Sequence, residues 1–215
     1  MMDFTNIKAI TIPEGDVVSI TRGNDILWQK KYKKELSYLE STGTQYIDTG
    51  VYPDSTYTFD SSVAVLKSNY NCVYWGARNT GASDTENSQC YLNSNTASGT
   101  SPTIFLFSTS VLVEGNWNSN IAPVVGELYK LSNMTVVPTM KKMTFPIILF
   151  GFNIIGNINT ALGICRIGKW VAYSNGKVVR DLIPVLDWND KPCMYDKVTD
   201  TLFYNKGTGD FIGGE

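Results

Sequence analysis

Histidine is absent from the 215 residues. Ser-His-Asp and Cys-His catalysis are thereby excluded in their usual forms, and so are zinc sites that need imidazole. Cysteine is scarce: Cys72, Cys90, Cys165 and Cys193 are too widely spaced for a CxxC pair, which argues against a metal site. Their neighbours read them as small buried hydrophobes. A disulfide such as Cys72 to Cys90 stays open, and the redox compartment with it. Excess charge is missing too, at a net −2 from 18 Lys and Arg against 20 Asp and Glu. Nucleic acid is therefore not expected as the main partner, because clustered cations must replace its counterions. The one basic run, Lys30, Lys31, Lys33 and Lys34 around Tyr32, reads as a solvated junction and not as a phosphate site.

Long apolar runs are lacking. FPIILFGFNIIG (145–156) falls short of the ~20 residues that span a bilayer. The opening MMDFTNIKAI has no apolar h-region, so the expectation is a chain made soluble in the cytosol, without membrane insertion. Helical periodicity is also missing: no segment of about 10–12 residues keeps a 3.6-residue repeat. The acidic pair Asp84 and Glu86, at i and i+2, sits in a Ser/Thr/Gly-rich loop instead of on an apolar strand. The rigid placement that a two-carboxylate hydrolase needs is absent, and no enzymatic activity is expected.

What is present is strand pattern. Hydrophobic residues at 43% and aromatics at 12% describe a globular chain long enough for one generous β domain with a small appendage. IKAITI (7–12), VVSITRG (17–23) and ILWQKK (26–31) read as three short strands with tight turns. Such a meander cannot bury enough surface alone, so it should dock onto the main domain or another subunit, with Ile20, Ile26 and Trp28 as anchors. TYTFDSSVAVLK (56–67) alternates strictly, as a half-buried strand does. FPIILFGFN has no polar alternation and should lie centrally in a sheet covered on both sides. The polar loops at 79–88 and 94–103 are the natural variable surface. Roughly twelve short strands in all predict an all-β sandwich or barrel.

Near the C-terminal end, Asn175-Gly176 between two long strand-forming runs is a strong type I′ hairpin signal, since both turn positions require φ > 0. The expected register sets Ser174 against Lys177, Tyr173 against Val178, Val171 against Arg180 and Ile167 against Pro184. Strict alternation would place Tyr173, Val171, Ile167 and Cys165 on one face. Ala172, Trp170, Ile183 and Val185 would occupy the other, so both faces should meet protein.

YLESTGTQYIDTG (38–50), coupled to NGKVVRDLIPVLD (175–187) and MYDKVTDTLFYNKGTGDF (194–211), resembles a widespread family of phage and prophage proteins, also found as surface proteins of gut bacteria. Their main domain is similar to the concanavalin A-like or laminin-G-like jelly roll. The resemblance covers 35–215, and IPEGDVVSITRGNDILWQK (12–30) is similar to the short β modules that precede such domains in tail and fibre proteins. It implies a small docking module at 1–32 and a jelly-roll β-sandwich at 33–215, with its first and last strands side by side. Tyr46, Ile47 and Val51 would pair with Met194-Tyr195 or Leu202-Phe203-Tyr204, while Gly207 and Gly209 would turn the chain so that Phe211 returns to the core.

The function so implied is a non-enzymatic virion structural or adhesion protein. Its partners would be other virion proteins or itself, as a homotrimer, and a host-surface glycan. It would be made in the host cytoplasm and located in the virion; the alternative is a lectin-like module on a bacterial surface. A glycan site needs aromatic faces and planar polar groups. Trp117 and Trp188, beside Asn118 and Asn189, lead the candidates, joined by Trp75, Arg78, Tyr91 and Asn93. No cofactor is expected; for a calcium site of the laminin-G kind the available oxygens are those of Asp48, Asp54, Asp187 and Asp190.

Overall fold

The computed structural model of the chain describes residues 9–11, 17, 19–22, 24–66, 72–79, 87–93, 103–106, 112–113, 116–117, 124–136, 138, 140–161 and 163–215. Among these residues there is no helix, and the fold is all-β. The first three strands, β1 (Ala9–Thr11), β2 (Ser19–Arg22) and β3 (Asp25–Gln29), pair antiparallel as a sheet of their own. Then follow β4 (Lys34–Glu35), β5 (Tyr38–Glu40), β6 (Ile47–Asp48), β7 (Tyr57–Val65), β8 (Cys72–Arg78), β9 (Asn87–Asn93), β10 (Thr103–Leu106), β11 (Leu112–Val113) and β12 (Asn116–Trp117). The series closes with β13 (Tyr129–Thr135), β14 (Ile148–Leu149), β15 (Phe152–Ile154), β16 (Asn157–Asn159), β17 (Cys165–Ser174), β18 (Lys177–Leu186), β19 (Pro192–Asp196), β20 (Thr201–Phe203) and β21 (Ile212–Gly214). The segments are shorter and more numerous than the pattern predicts because apolar runs are interrupted. The 141–153 run, for example, breaks at Phe150, with φ 63°, into β14 and β15.

Two larger sheets stack as a β-sandwich. The smaller has the order β10-β9-β8-β14-β6, with β15 beside β8 and β16 beside β15; the larger has the order β12-β11-β13-β7-β17-β18-β19-β20. Leu39, Phe59, Val63, Leu131, Ile167, Trp170, Leu182 and Met194 of the larger sheet meet Ile47, Trp75 and Leu149 of the smaller in one core. Burying each such aliphatic or aromatic side chain stabilises the fold by roughly 1.5–3 kcal/mol. On β7, Phe59, Ser61 and Val63 are buried while Thr58, Asp60 and Ser62 are only partly so, as its alternation predicts. Ile147 to Phe150 are all fully buried, and β14 lies between β8 and β6, which is the covered central position expected for that run.

The β17–β18 hairpin turns at Asn175 (φ 50°) and Gly176 (φ 73°), both positive as a type I′ turn requires. Ser174 faces Lys177 and Tyr173 faces Val178, as expected. Beyond these pairs the expected register fails. A bulge at Val179 sets Ala172 opposite Arg180, so Val171 faces Asp181. A second irregularity lies on the β7 side, where Ile167 pairs with Val63 but Trp170 with Ser61, three residues against two. Side chains alternate with period two, so one inserted residue moves all that follow to the other face. Cys165, Ile167, Trp170 and Ala172 consequently share one core instead of lying on opposite faces.

The hairpin arms also separate. Ile167 pairs with Leu39 and not with Pro184, because β5 and β4 enter between β17 and β18. Pro184 has no N–H to offer a ladder, and its carbonyl accepts Leu36 N–H at 2.9 Å. The two end motifs are adjacent, but through other residues than expected. Tyr38 to Glu40 pair with Ile212 to Gly214, while Ile47 pairs with Leu149 in the opposite sheet. The 205–208 turn is clipped to 44–46 by Lys206 N–H to Tyr46 O (2.9 Å) and Thr208 N–H to Thr44 O (3.1 Å). Gly207 is required there, since a Cβ would lie 1.9 Å from Thr44 O. Phe211 does return to the core, with its ring 4.6 Å from that of Phe150.

Candidate binding site

The small sheet joins the sandwich through residues 30–35, and this junction is built from the outer face of β18, β19 and β20. Ile183, Val185 and Cys193 form a second buried cluster there, closed by Tyr32 and flanked by Tyr195 and Leu202. The Tyr32 and Tyr195 rings lie 4.9 Å apart, and Lys30 Nζ sits 4.5 Å from the Tyr32 ring centre. Tyr32 donates its hydroxyl hydrogen to Glu35 Oε1 at 2.6 Å. Burial pushes the Cys193 thiol up to about 12, so it stays protonated and inert.

The basic run is paired along its length. Lys31 lies 3.8 Å from Asp200, Lys33 lies 2.7 Å from Asp190, and Lys34 pairs with Glu215. Each pair is exposed and contributes little alone. The stronger tie is Trp188, whose Nε1–H donates to Lys30 O at 2.8 Å. Trp188 is held by the turn that Asp187 organises. Asp187 Oδ1 accepts Asn189 N–H and Lys191 N–H, both at 2.8 Å, and Oδ2 accepts the Tyr204 hydroxyl at 2.9 Å. Burial alone would raise the Asp187 pKa, but these donors outweigh it and hold the carboxyl below its usual range.

Between the small sheet and the sandwich lies a groove of about 500 Å³ with Trp28, Gln29, Lys31, Glu35, Tyr195 and Asp200 along its walls. Tyr195 donates to Asp200 Oδ1 at 2.8 Å; burial, then that bond, raises its pKa to about 12. Such a groove offers aromatic faces and fixed polar groups. Beside it, all five residues of β3 are exposed, Ile26 to 63% and Trp28 to 41%. Ile20 is partly buried opposite Trp28 on β2.

Among the described side chains, the sequence-predicted glycan residues Trp75, Arg78 and Trp188 have three different surroundings. Trp75 is withdrawn from that role: only 2% exposed, it packs against Phe59 at 4.9 Å and Trp170 at 6.1 Å, so its faces are covered by protein. Arg78 is partly buried with its guanidinium 5.5 Å from the Phe152 ring centre. Asn79 is a tie to the 142–144 segment, its Oδ1 accepting Thr144 N–H at 2.8 Å. Trp188 keeps an exposed ring but has committed its N–H to the junction. Tyr91 and Asn93 lie on β9 and Trp117 on β12; their side chains, like loop residues 80–86 and 94–102, lie outside the described residues.

The calcium candidates are used locally. Asp48 Oδ1 accepts Gly50 N–H, Asp54 Oδ1 accepts both donors of Thr56, and Asp190 pairs with Lys33. Among the described residues no three His, Cys, Asp or Glu side chains converge. Cys72 is a free buried thiol that donates to Ile164 O, so the Cys72 to Cys90 disulfide is not formed. Sequence reading missed Tyr32, Tyr195 and Asp200. The available signal was the alternation of MYDKVTDTLF, which sets Tyr195 opposite Leu202. No protein-family model matches this chain, nor does any curated protein or solved structure.

Proposed function

We propose that the chain is a non-enzymatic phage virion structural and adhesion protein: a concanavalin A-like jelly-roll sandwich that meets host-surface glycans, carried on a small β module that docks it into the particle. The observation that carries this reading is β3, an edge strand of a three-stranded sheet with every residue exposed, three of them Ile26, Leu27 and Trp28. A free edge with apolar side chains is a template for another chain. Three strands of three to five residues are marginal without a covering partner. The paired junction at 30–35 supports the same reading, because it ties the module to a large sandwich. The resemblance of the two end motifs to phage proteins supplies the setting.

The test is the double substitution Ile26→Ser with Leu27→Ser, chosen because neither residue lies in the sandwich core. Sedimentation equilibrium should show a fall from a multimer, or loss of co-purification with particles, with the melting transition of the sandwich unchanged. Unchanged mass and unchanged particle incorporation would remove the docking role.

A further inference from the structure

A second cleft lies where the two sheets of the sandwich part at their outer edges. β6 ends the smaller sheet and β20 ends the larger. Between them is a cleft of about 380 Å³ lined by Asp48, Gly50, Phe203, Tyr204 and Lys206. Its aromatic walls are fixed from behind. Tyr204 is anchored through its hydroxyl to Asp187, and Phe203 has the Arg180 guanidinium 4.9 Å from its ring centre, itself bound to Asp196. The base is equally rigid, since Asn205 accepts Tyr46 N–H and Gly207 N–H and donates to Gly209 O.

Two polar groups at the cleft are left unspent. Asp48 uses one carboxylate oxygen on Gly50 N–H, and the other accepts nothing from the described residues. Lys206 forms no ion pair among the described residues, and Gly50 brings no side chain, with Arg180 Nη2 lying 3.5 Å from where its Cβ would stand. The Arg180 guanidinium is offset by Asp196, and Asp48 and Lys206 offset each other, so the cleft carries no excess charge and favours neither an anion nor a cation. Rigid aromatic faces, a free acceptor and a free donor around a neutral opening match the apolar C–H face and hydroxyl rim of a sugar ring.

We infer that this edge cleft is a subsite for a neutral hexopyranose unit, with the ring against Phe203 and Tyr204, a hydroxyl donating to Asp48 and another accepting from Lys206. The inference rests on the adhesion half of the proposed function and gives it a place and a ligand class.

The test uses the full chain and saturation-transfer NMR with methyl glycosides of glucose, galactose, mannose and N-acetylglucosamine, and of glucuronic acid as an anionic comparison. A neutral glycoside should bind with a dissociation constant on the order of 1 mM. It should shift the amide resonances of Gly50 and Lys206, and lose affinity at least tenfold in Asp48→Ala. Lys206→Met, on an exposed side chain, should weaken binding without altering the fold. Preference for the glucuronide would overturn the inference, making the cleft an anion site. Binding that persists in both variants with no shifts at Gly50 would overturn the subsite while leaving glycan adhesion in place. Absence of binding by every neutral glycoside would overturn it too, and the docking role would still stand or fall on the mass measurement alone.

Discussion

Arg180 Nη1 lies 2.7 Å from Asp196 Oδ2, and the Asp196 side chain is wholly excluded from solvent. The carboxylate is the hub of the turn after β19: Oδ1 accepts Asp181 N–H and Val198 N–H, while Oδ2 accepts Thr199 N–H and its hydroxyl. This one residue ties β18 to β19 and shapes the DKVTD turn. Asp196→Asn should cost about 3 kcal/mol, because a largely buried guanidinium is left without its counter-charge. The denaturant midpoint would fall with the slope unchanged.

Acid should unfold the protein through the same residue and its neighbour. Burial raises the Asp196 pKa, but the bonds from Thr199, Asp181, Arg180 and Val198 outweigh it, and the folded value lies below the ordinary 3.8. Asp187 is lowered as well. Between the folded values and 3.8 the unfolded chain binds more protons than the folded one. The stability from both carboxylates is therefore complete above pH 3.8 and is lost as pH falls through the folded values. Midpoints measured at a series of pH values should drop in this window for the parent and drop less in Asp196→Asn.

Trp188→Phe removes the donor to Lys30 O while keeping an aromatic ring. The cost, about 1 kcal/mol as the net value of one hydrogen bond, should fall on opening of the junction and leave global unfolding of the sandwich unchanged. Amide exchange in 30–35 should accelerate while that of β17 and β18 stays as it was. Uniform acceleration everywhere would contradict a local clamp.

Gly207→Val drives a side chain onto Thr44 O, where even a Cβ would sit at 1.9 Å. The 205–208 turn would have to leave 44–46, breaking the backbone bonds at Tyr46 and Thr44. A loss of about 3 kcal/mol is expected, at the upper end of overpacking penalties. Thermal unfolding compared with Gly176→Ala, where nothing lies within 4 Å and only φ is strained, separates contact from backbone preference.

Several parts of the fold were legible residue by residue. The alternation of 56–67, the unbroken burial of 147–150 and the Asn175-Gly176 turn follow from side-chain period and turn chemistry, which act over a few residues. The candidate site was much less legible. Trp75, in the apolar run CVYWGA, and Trp188, beside Asn189, both read as glycan candidates. One fills the core and the other holds the junction, because the difference lies in what packs against each ring.

By itself the sequence determined the all-β class, the three-stranded opening and the hairpin turn. Local hydrogen-bonding and steric preferences suffice for these. Only the tertiary structure decided which faces are buried around Trp170, where bulges at Val179 and near Gly168 shift a period of two. It alone placed β4 and β5 between the hairpin arms, and it alone assembled Tyr32, Tyr195 and Asp200 beside Trp28. Those outcomes depend on contacts between residues more than a hundred positions apart, and no local pattern carries them.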